Sequence, residues 1–363
     1  MRYASIDVLR TVAIALMILV HFLENLSGVT WAPAGLGAPL FAFLSGLNIR
    51  IWTLSLEAKG ITDEAIRRIA VRRGLFLFVL GIAFNVLVWL PSDTFNWDVL
   101  TMIGTAMVAL AFLRGLPSGF LAFVCAVVFV LSPFLRIQAD YASHWTNGYF
   151  ESETTLPDVL IGYLSTGYFP LFPWIIFPIV GYIAGSYLFH RPTDGEATPR
   201  SVRPLVTYGV CFLAISVFLR VIRDALPDPI PTKLVMGWTM FPASPEYVTG
   251  VLGIALVSFG ILHVGIDRRD CLRRVPAILN VTRTMSQYSL TVYLLHHILH
   301  LWPLWIYGTL FGTEATEFWH SAMPVAVSGP LALGCFAACS VLFRQMRRRE
   351  WPSVESLMRW LCD

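Results

Sequence analysis

The first apolar segment carries four residues that hydrocarbon does not favour: Asp7, Arg10, His21 and Glu24. Arg10 and His21 are eleven positions apart. At about 100° per residue they lie only about 20° apart around a helix axis, and roughly 16 Å apart along it. Asp7 and Glu24 fall on the same side, so one stripe reads Asp, Arg, His, Glu. Charges within a span cost about 2.5–3.5 kcal/mol each on insertion scales, so they face a bundle interior and usually serve a purpose. The simpler reading pairs Asp7 with Arg10 at the interface and leaves His21 as a hydrogen-bonded core residue. The chemical reading is acyl transfer across the membrane. Arg10, with Asp7 beside it, holds the anionic phosphate of a donor. His21 is a general base for an acceptor hydroxyl or amine, and Glu24, one turn further, orients its imidazole. The pantetheine arm of coenzyme A is long enough to bridge such a gap. An acyl-histidine route uses the same residues and stays open beside direct transfer.

Secondary candidates follow from the same logic. Arg50 ends the second apolar segment with Ser45 and Asn48 nearby, and Arg72 and Arg73 follow in the next. They suit a second clamp on donor phosphates; the alternative is a positive-inside anchor, which also covers Arg67 and Arg68. Tyr293 and His296 are candidate pocket walls, with His297 and His300 as satisfied core groups. His296 and His300 are four apart, but no glutamate completes an HExxH pattern, so no metal is expected. Trp174, another pocket candidate, follows Pro170 and Pro173. Together with Pro178 these prolines must bend or interrupt a helix there, because each lacks a donor N–H.

Such residues need a scaffold, and the composition defines it. Of 363 residues, 56% are hydrophobic and 13% charged, against about 25% charged in soluble domains. Half the usual charge cannot cover a soluble globule. The chain reads as a single all-α integral membrane domain over residues 1–363, because a barrel would show alternating strands rather than long apolar runs. Ten spans are expected, near 7–25, 36–56, 74–91, 98–114, 116–136, 168–188, 204–222, 245–266, 285–307 and 322–343. With both termini in the cytosol, 20 of the 26 cations fall on the inner side, including Arg191, Arg200 and Arg203. The basic residues sit in short loops between spans, which gives nucleic acid no footing as a partner. Six cysteines form no CxxC pair and no external pair, so no disulfide framework is expected. The longer external segments, 137–167 and 223–244, hold Tyr141, Trp145, Tyr149, Phe150 and Trp238 beside Asp140, Glu151, Glu153 and Asp158. Rings cover apolar sugar faces and carboxylates accept from hydroxyls; an interfacial aromatic belt is the alternative.

The spacing Arg10-x10-His21 resembles the arginine-x10-histidine motif of the type-3 membrane acyltransferases. The opening Ser5–Arg10, the segment Ala38–Gly46 and the segment Tyr168–Trp174 resemble the heparan-alpha-glucosaminide N-acetyltransferase-like branch of that superfamily. Ser289–His296 resembles a segment of both branches, and Pro352–Arg359 the C-terminal end of bacterial members. The resemblance implies a ten-helix core in the cell membrane. It also implies a cytosolic acetyl-CoA donor, used as co-substrate and not tightly bound, and a carbohydrate or related acceptor on the far side. Thr11 stands where a glycine usually follows the arginine, and residues 22–40 hold no histidine, so His21 must carry the catalytic role. A transporter or flippase, with the polar stripe lining a permeation path, is the alternative class.

Overall fold

The described residues are mostly helical, and the few strand residues among them form one short hairpin of two paired two-residue strands. The computed structural model describes residues 2–89, 91–151, 153–189, 200–312 and 322–363; Arg191 lies outside the described residues. The main helices are α1 (Ala4–Ser27), α2 (Gly37–Glu57), α3 (Asp63–Val88), α4 (Val99–Leu113), α5 (Ser118–Gln138), α6 (Ile176–Leu188), α7 (Arg203–Ile222), α8 (Pro245–Leu262), α9 (Pro276–Gln287), α10 (Ser289–Phe311), α11 (Val325–Arg349) and α12 (Val354–Cys362).

All ten expected spans are occupied by helix, and among the described residues eight helical stretches are both long and apolar enough to cross a membrane. The two exceptions have different causes. Helix α4 has 15 residues, about 22 Å at the helical rise, short of a hydrocarbon core of about 30 Å. Helix α10 has 23 residues but carries His296, His297 and His300, which lower its apolar character. Expected to run from 285, it begins only at Ser289, because the chain turns at Tyr288 (φ −106°, ψ 27°) and ends α9 there. The expected sixth span starts earlier than its sequence suggests: the apolar stretch runs Leu156–Leu188. Its interruptions fall where the prolines demand them, with Phe172 in an extended conformation (φ −102°, ψ 117°) before Pro173.

The helices form two compact units. One spans residues 42–261. Here α2 and α6 touch backbone to backbone: a Cβ on Gly46 would lie 1.8 Å from the Pro178 carbonyl oxygen, and one on Gly181 1.9 Å from that of Phe43. Only glycine allows that approach. Helix α3 starts on Thr62, whose hydroxyl accepts from the Ala65 amide, with Asp63 and Glu64 in its first turn.

The other unit comprises residues 2–41 and 262–361. Ile14, Ile18, Phe22 and Leu26 recur every fourth residue along α1. They pack on Met285, Tyr288 and Val292 from the α9–α10 corner and on Ala332, Cys339 and Phe343 of α11. Tyr288 stacks on Phe343 with ring centroids 5.1 Å apart. Two carboxylates from elsewhere close helix starts in this unit. Glu355 of α12 accepts from the Leu290 and Thr291 amides at 2.7 and 3.0 Å and from the Thr291 hydroxyl at 2.6 Å. Asp267 accepts from the Ser5 amide at 3.2 Å and from the Ser5 hydroxyl, and His263 holds it at 2.8 Å. The first four N–H groups of a helix lack internal partners and carry positive potential, so a carboxylate there is favourable.

Two stability outcomes follow. Gly46→Ala should sharply reduce the yield of monodisperse protein in detergent, because the facing carbonyl belongs to a backbone and cannot turn away. Glu355→Ala should destabilise by about 2 kcal/mol or more, the value of hydrogen bonds to a charged group, read as a lowered melting temperature.

Candidate active site

Helix α1 runs unbroken from Ala4 to Ser27, so Arg10 and His21 keep the shared face and the rise of roughly 16 Å set by their spacing. Asp7 is buried and pairs with Arg2, not Arg10, at 2.7 Å, while Arg2 also donates to the Arg283 carbonyl at 2.8 Å. Arg10 is half-buried and spends only Nη1, on the carbonyl and hydroxyl oxygens of Ser286 at 3.2 and 3.1 Å. Its Nε and Nη2 make no hydrogen bond to the described residues. The interfacial Asp7–Arg10 pair of the simpler reading is therefore absent.

At the other end of the stripe, α1 and α10 bring four histidines together. The His21 ring centroid lies 5.2 Å from His296, 4.3 Å from His297 and 6.4 Å from His300. The hydrogen bonds assign the protons. Nδ1 of His296, His297 and His300 each faces a backbone carbonyl one turn back, on Val292 at 2.9 Å, Tyr293 at 3.0 Å and His296 at 2.6 Å. A carbonyl only accepts, so each Nδ1 carries the proton, and each neutral ring presents Nε2 as a lone pair. The Asn25 side chain donates to Nε2 of His300 at 3.0 Å. Nε2 of His296 lies 2.9 Å from Nδ1 of His21, so Nδ1 of His21 donates and its own Nε2 is left unprotonated. His296 thus occupies Nδ1 of His21. Tyr293 is buried with its ring 6.0 Å from His296 and 5.3 Å from His297.

The ligand nitrogens of His21, His296 and His297 lie within 4.8 Å of one another, a spacing that three imidazoles could close around an ion. Sequence spacing alone could not show this, because His21 is 275 residues from His296. Asn25 is one turn past His21 and legible on the same face; Ser286 gives no such signal.

The remaining candidates belong to the unit of residues 42–261. Ser45 donates to the Ala42 carbonyl at 2.7 Å. Arg50 is half-buried, its stem packed against Gly185. Arg72 and Arg73, adjacent in sequence, point apart by one helical step. Arg72 lines an open groove with Arg67, Arg68 and Phe112, whereas the Arg73 guanidinium lies over the Trp52 ring at 4.7 Å. Trp174 is fully buried and lines a separate cleft with Tyr168 and Phe241. In the external segment 137–167, Trp145 stacks on Tyr141 and Phe241 at 5.5 and 5.6 Å, so these rings cover one another. The hairpin pairing Trp145 with Phe150 turns on Asn147 and Gly148 (φ 52° and 85°). Asn-Gly is a strong local hairpin signal.

Apolar spanning helices that bury an imidazole cluster define a multi-pass membrane protein. The catalytic-domain family of heparan-alpha-glucosaminide N-acetyltransferases matches residues 2–220, and the chain belongs to that family. It is thus a membrane acetyltransferase by family, and nothing here favours the transport alternative. No curated protein matches the chain. The matched region includes Arg10 and His21 but ends before His296, His297 and His300.

The proton assignment makes a specific prediction. His296→Ala removes the acceptor that holds His21 Nδ1–H, so kcat for acetyl transfer should fall by tenfold or more, in line with loss of a positioned base (about 10²–10⁴ for general base catalysis). His296→Asn, which can still accept, should recover part of the loss; steady-state kinetics of the two variants decide it.

Proposed function

We propose that the protein moves an acetyl group from acetyl-CoA, supplied on the cytosolic side, to a hydroxyl or amine of an extracytoplasmic carbohydrate or related acceptor. His21 is the general base. The observation that carries this reading is the His21–His296 hydrogen bond at 2.9 Å, which leaves the Nε2 lone pair of the one half-buried ring in a cluster of buried ones.

The step balances without any further reactant. Nε2 of His21 takes the proton from the acceptor O–H or N–H as that atom attacks the thioester carbonyl. The new C–O or C–N bond forms, the C–S bond breaks, and the imidazolium returns its proton to the departing thiolate. His296, His297 and His300 keep the ring in place and exclude water; Tyr293 walls the same space. Glu24, one turn along α1, orients the imidazole of His21. Direct transfer uses the tautomer described above as it stands.

Arg10 anchors the donor. Its Nε and Nη2 are oriented donors at the far end of the stripe, and a guanidinium fork suits phosphate. The Asp7–Arg2 pair and Ser286 hold that guanidinium's surroundings in place. Ser45, Arg50, Arg72 and Arg73 are further candidates for contacts to donor phosphates; the Arg50 stem packs against Gly185 and the Arg73 guanidinium lies over Trp52. Positive-inside placement puts Arg72 and Arg73, and both termini, on the cytosolic side of the membrane that the protein spans, with Arg10 and Arg50 near the inner ends of their spans.

Acetyl-CoA should raise the melting temperature of the purified protein, because a ligand that binds only the native state stabilises it; no shift at saturating donor defeats the proposal. His21→Ala should abolish transfer of radiolabelled acetyl while keeping that thermal shift. Arg10→Ala should shrink the shift by weakening donor binding about tenfold or more, as expected for loss of a charge-assisted hydrogen bond.

A further inference from the structure

The segment Tyr168–Trp174 ends in a cleft that the transfer chemistry leaves unused. Tyr168, Phe172 and Trp174 line it together with Phe241, and its polar lining comes from Arg136, Tyr141 and Ser165. Arg136, in the last turn of α5, is 4% exposed. It donates through Nη1 to the Ala243 carbonyl at 3.0 Å. Among the described residues its Nε and Nη2 have no hydrogen-bond partner, and neither do the hydroxyls of Tyr141 and Ser165. The cleft is narrow, and these atoms are shielded from solvent within it.

Among the described residues no ion pair satisfies Arg136 either. Glu246, whose charge acts on Arg136, gives one carboxylate oxygen to the Gly237 amide at 2.7 Å and forms no ion pair with the guanidinium; its other oxygen is buried without a hydrogen-bond partner. Buried cations are ordinarily paired, because an unpaired one loses hydration without recovering it elsewhere. The two free groups, Nε and Nη2, form one edge of the guanidinium. That edge presents two parallel N–H donors, the fork that grips a carboxylate or phosphate through two oxygens. The rings beside it offer apolar faces, and Trp145 braces them by stacking on Phe241 at 5.6 Å and meeting Tyr168 edge-on at 5.0 Å.

We propose that this cleft parts to bind a small organic anion. Its carboxylate or phosphate is taken by the Nε–Nη2 edge of Arg136 with the Tyr141 and Ser165 hydroxyls as further donors, and its body rests on Tyr168 and Phe241. The anion is either a soluble acid or the head group of an anionic lipid, since both present the same oxygens. The inference stands apart from the acetyl-transfer reading, because binding needs no donor and no turnover.

The test uses the purified full chain with no acetyl-CoA present. One arm titrates glucuronate against glucose, which has the same ring without the charge. The other compares nanodiscs of phosphatidylglycerol with nanodiscs of phosphatidylcholine, and melting temperature is the readout in both. Stabilisation by glucuronate and not glucose identifies a soluble acid; stabilisation by phosphatidylglycerol alone identifies a lipid head group. In the responding arm Arg136→Gln should weaken binding by about tenfold or more. Should that variant not fold for want of its bond to Ala243, Ser165→Ala removes one donor and leaves the bond intact, with a loss of about threefold or more. The proposal is overturned if neither anion stabilises the protein, or if the folded variants keep the full response.

Discussion

The site depends on one hydrogen bond between helices that are 275 residues apart in the chain, from His21 of α1 to His296 of α10. A bond of 2.9 Å tolerates little sliding, so both helices must be fixed along their axes. The starts of both are tied by carboxylates from other elements, Asp267 on Ser5 and Glu355 on Leu290 and Thr291. The segments Ser289–His296 and Pro352–Arg359, separate in sequence, turn out to be two halves of one contact. Between those anchors the seam is apolar: Ile14, Ile18 and Phe22 against Met285, Tyr288 and Val292.

Inside an apolar bundle every donor must find an acceptor, because no water is at hand to take its place. The three histidines of α10 meet that demand with carbonyls of their own helix, one turn back. The solution has a chemical result. It spends every Nδ1 proton on the backbone and leaves each Nε2 an acceptor, that of His296 on His21 and that of His300 on Asn25. His21 then has one orientation compatible with its neighbour, and the nitrogen left over is the basic one. The same demand explains why Arg136 stands out, since its guanidinium has acceptors for only part of its donors.

Much of this was legible in the residues. Apolar runs and low charge define a helical membrane protein, and the spacing of Arg10 and His21 puts them on one face of one helix. The prolines at 170 and 173 mark the interruption found there. Other readings changed on contact with neighbours. Asp7 looked like a partner for Arg10, but Arg2, one turn before the helix settles, reaches it first. Arg72 and Arg73 looked like one clamp, but adjacent helical residues diverge by about 100°. His297 and His300 looked like core residues satisfied by hydrogen bonds; they are so satisfied, and they also pack around His21.

Periodicity and composition act through nearest neighbours along the chain. The sequence by itself therefore determined the membrane class, the helices, the breaks at proline, and the face shared by Arg10 and His21. Proton placement is a property of pairs, and a pair across two helices has no signature in either one alone. Only the tertiary structure decided that His296 meets His21, that Arg10 rests on Ser286, and that Arg136 is buried with no ion pair among the described residues. Each of those outcomes depends on how far one helix stands along another, a quantity set by packing and by the two capping carboxylates.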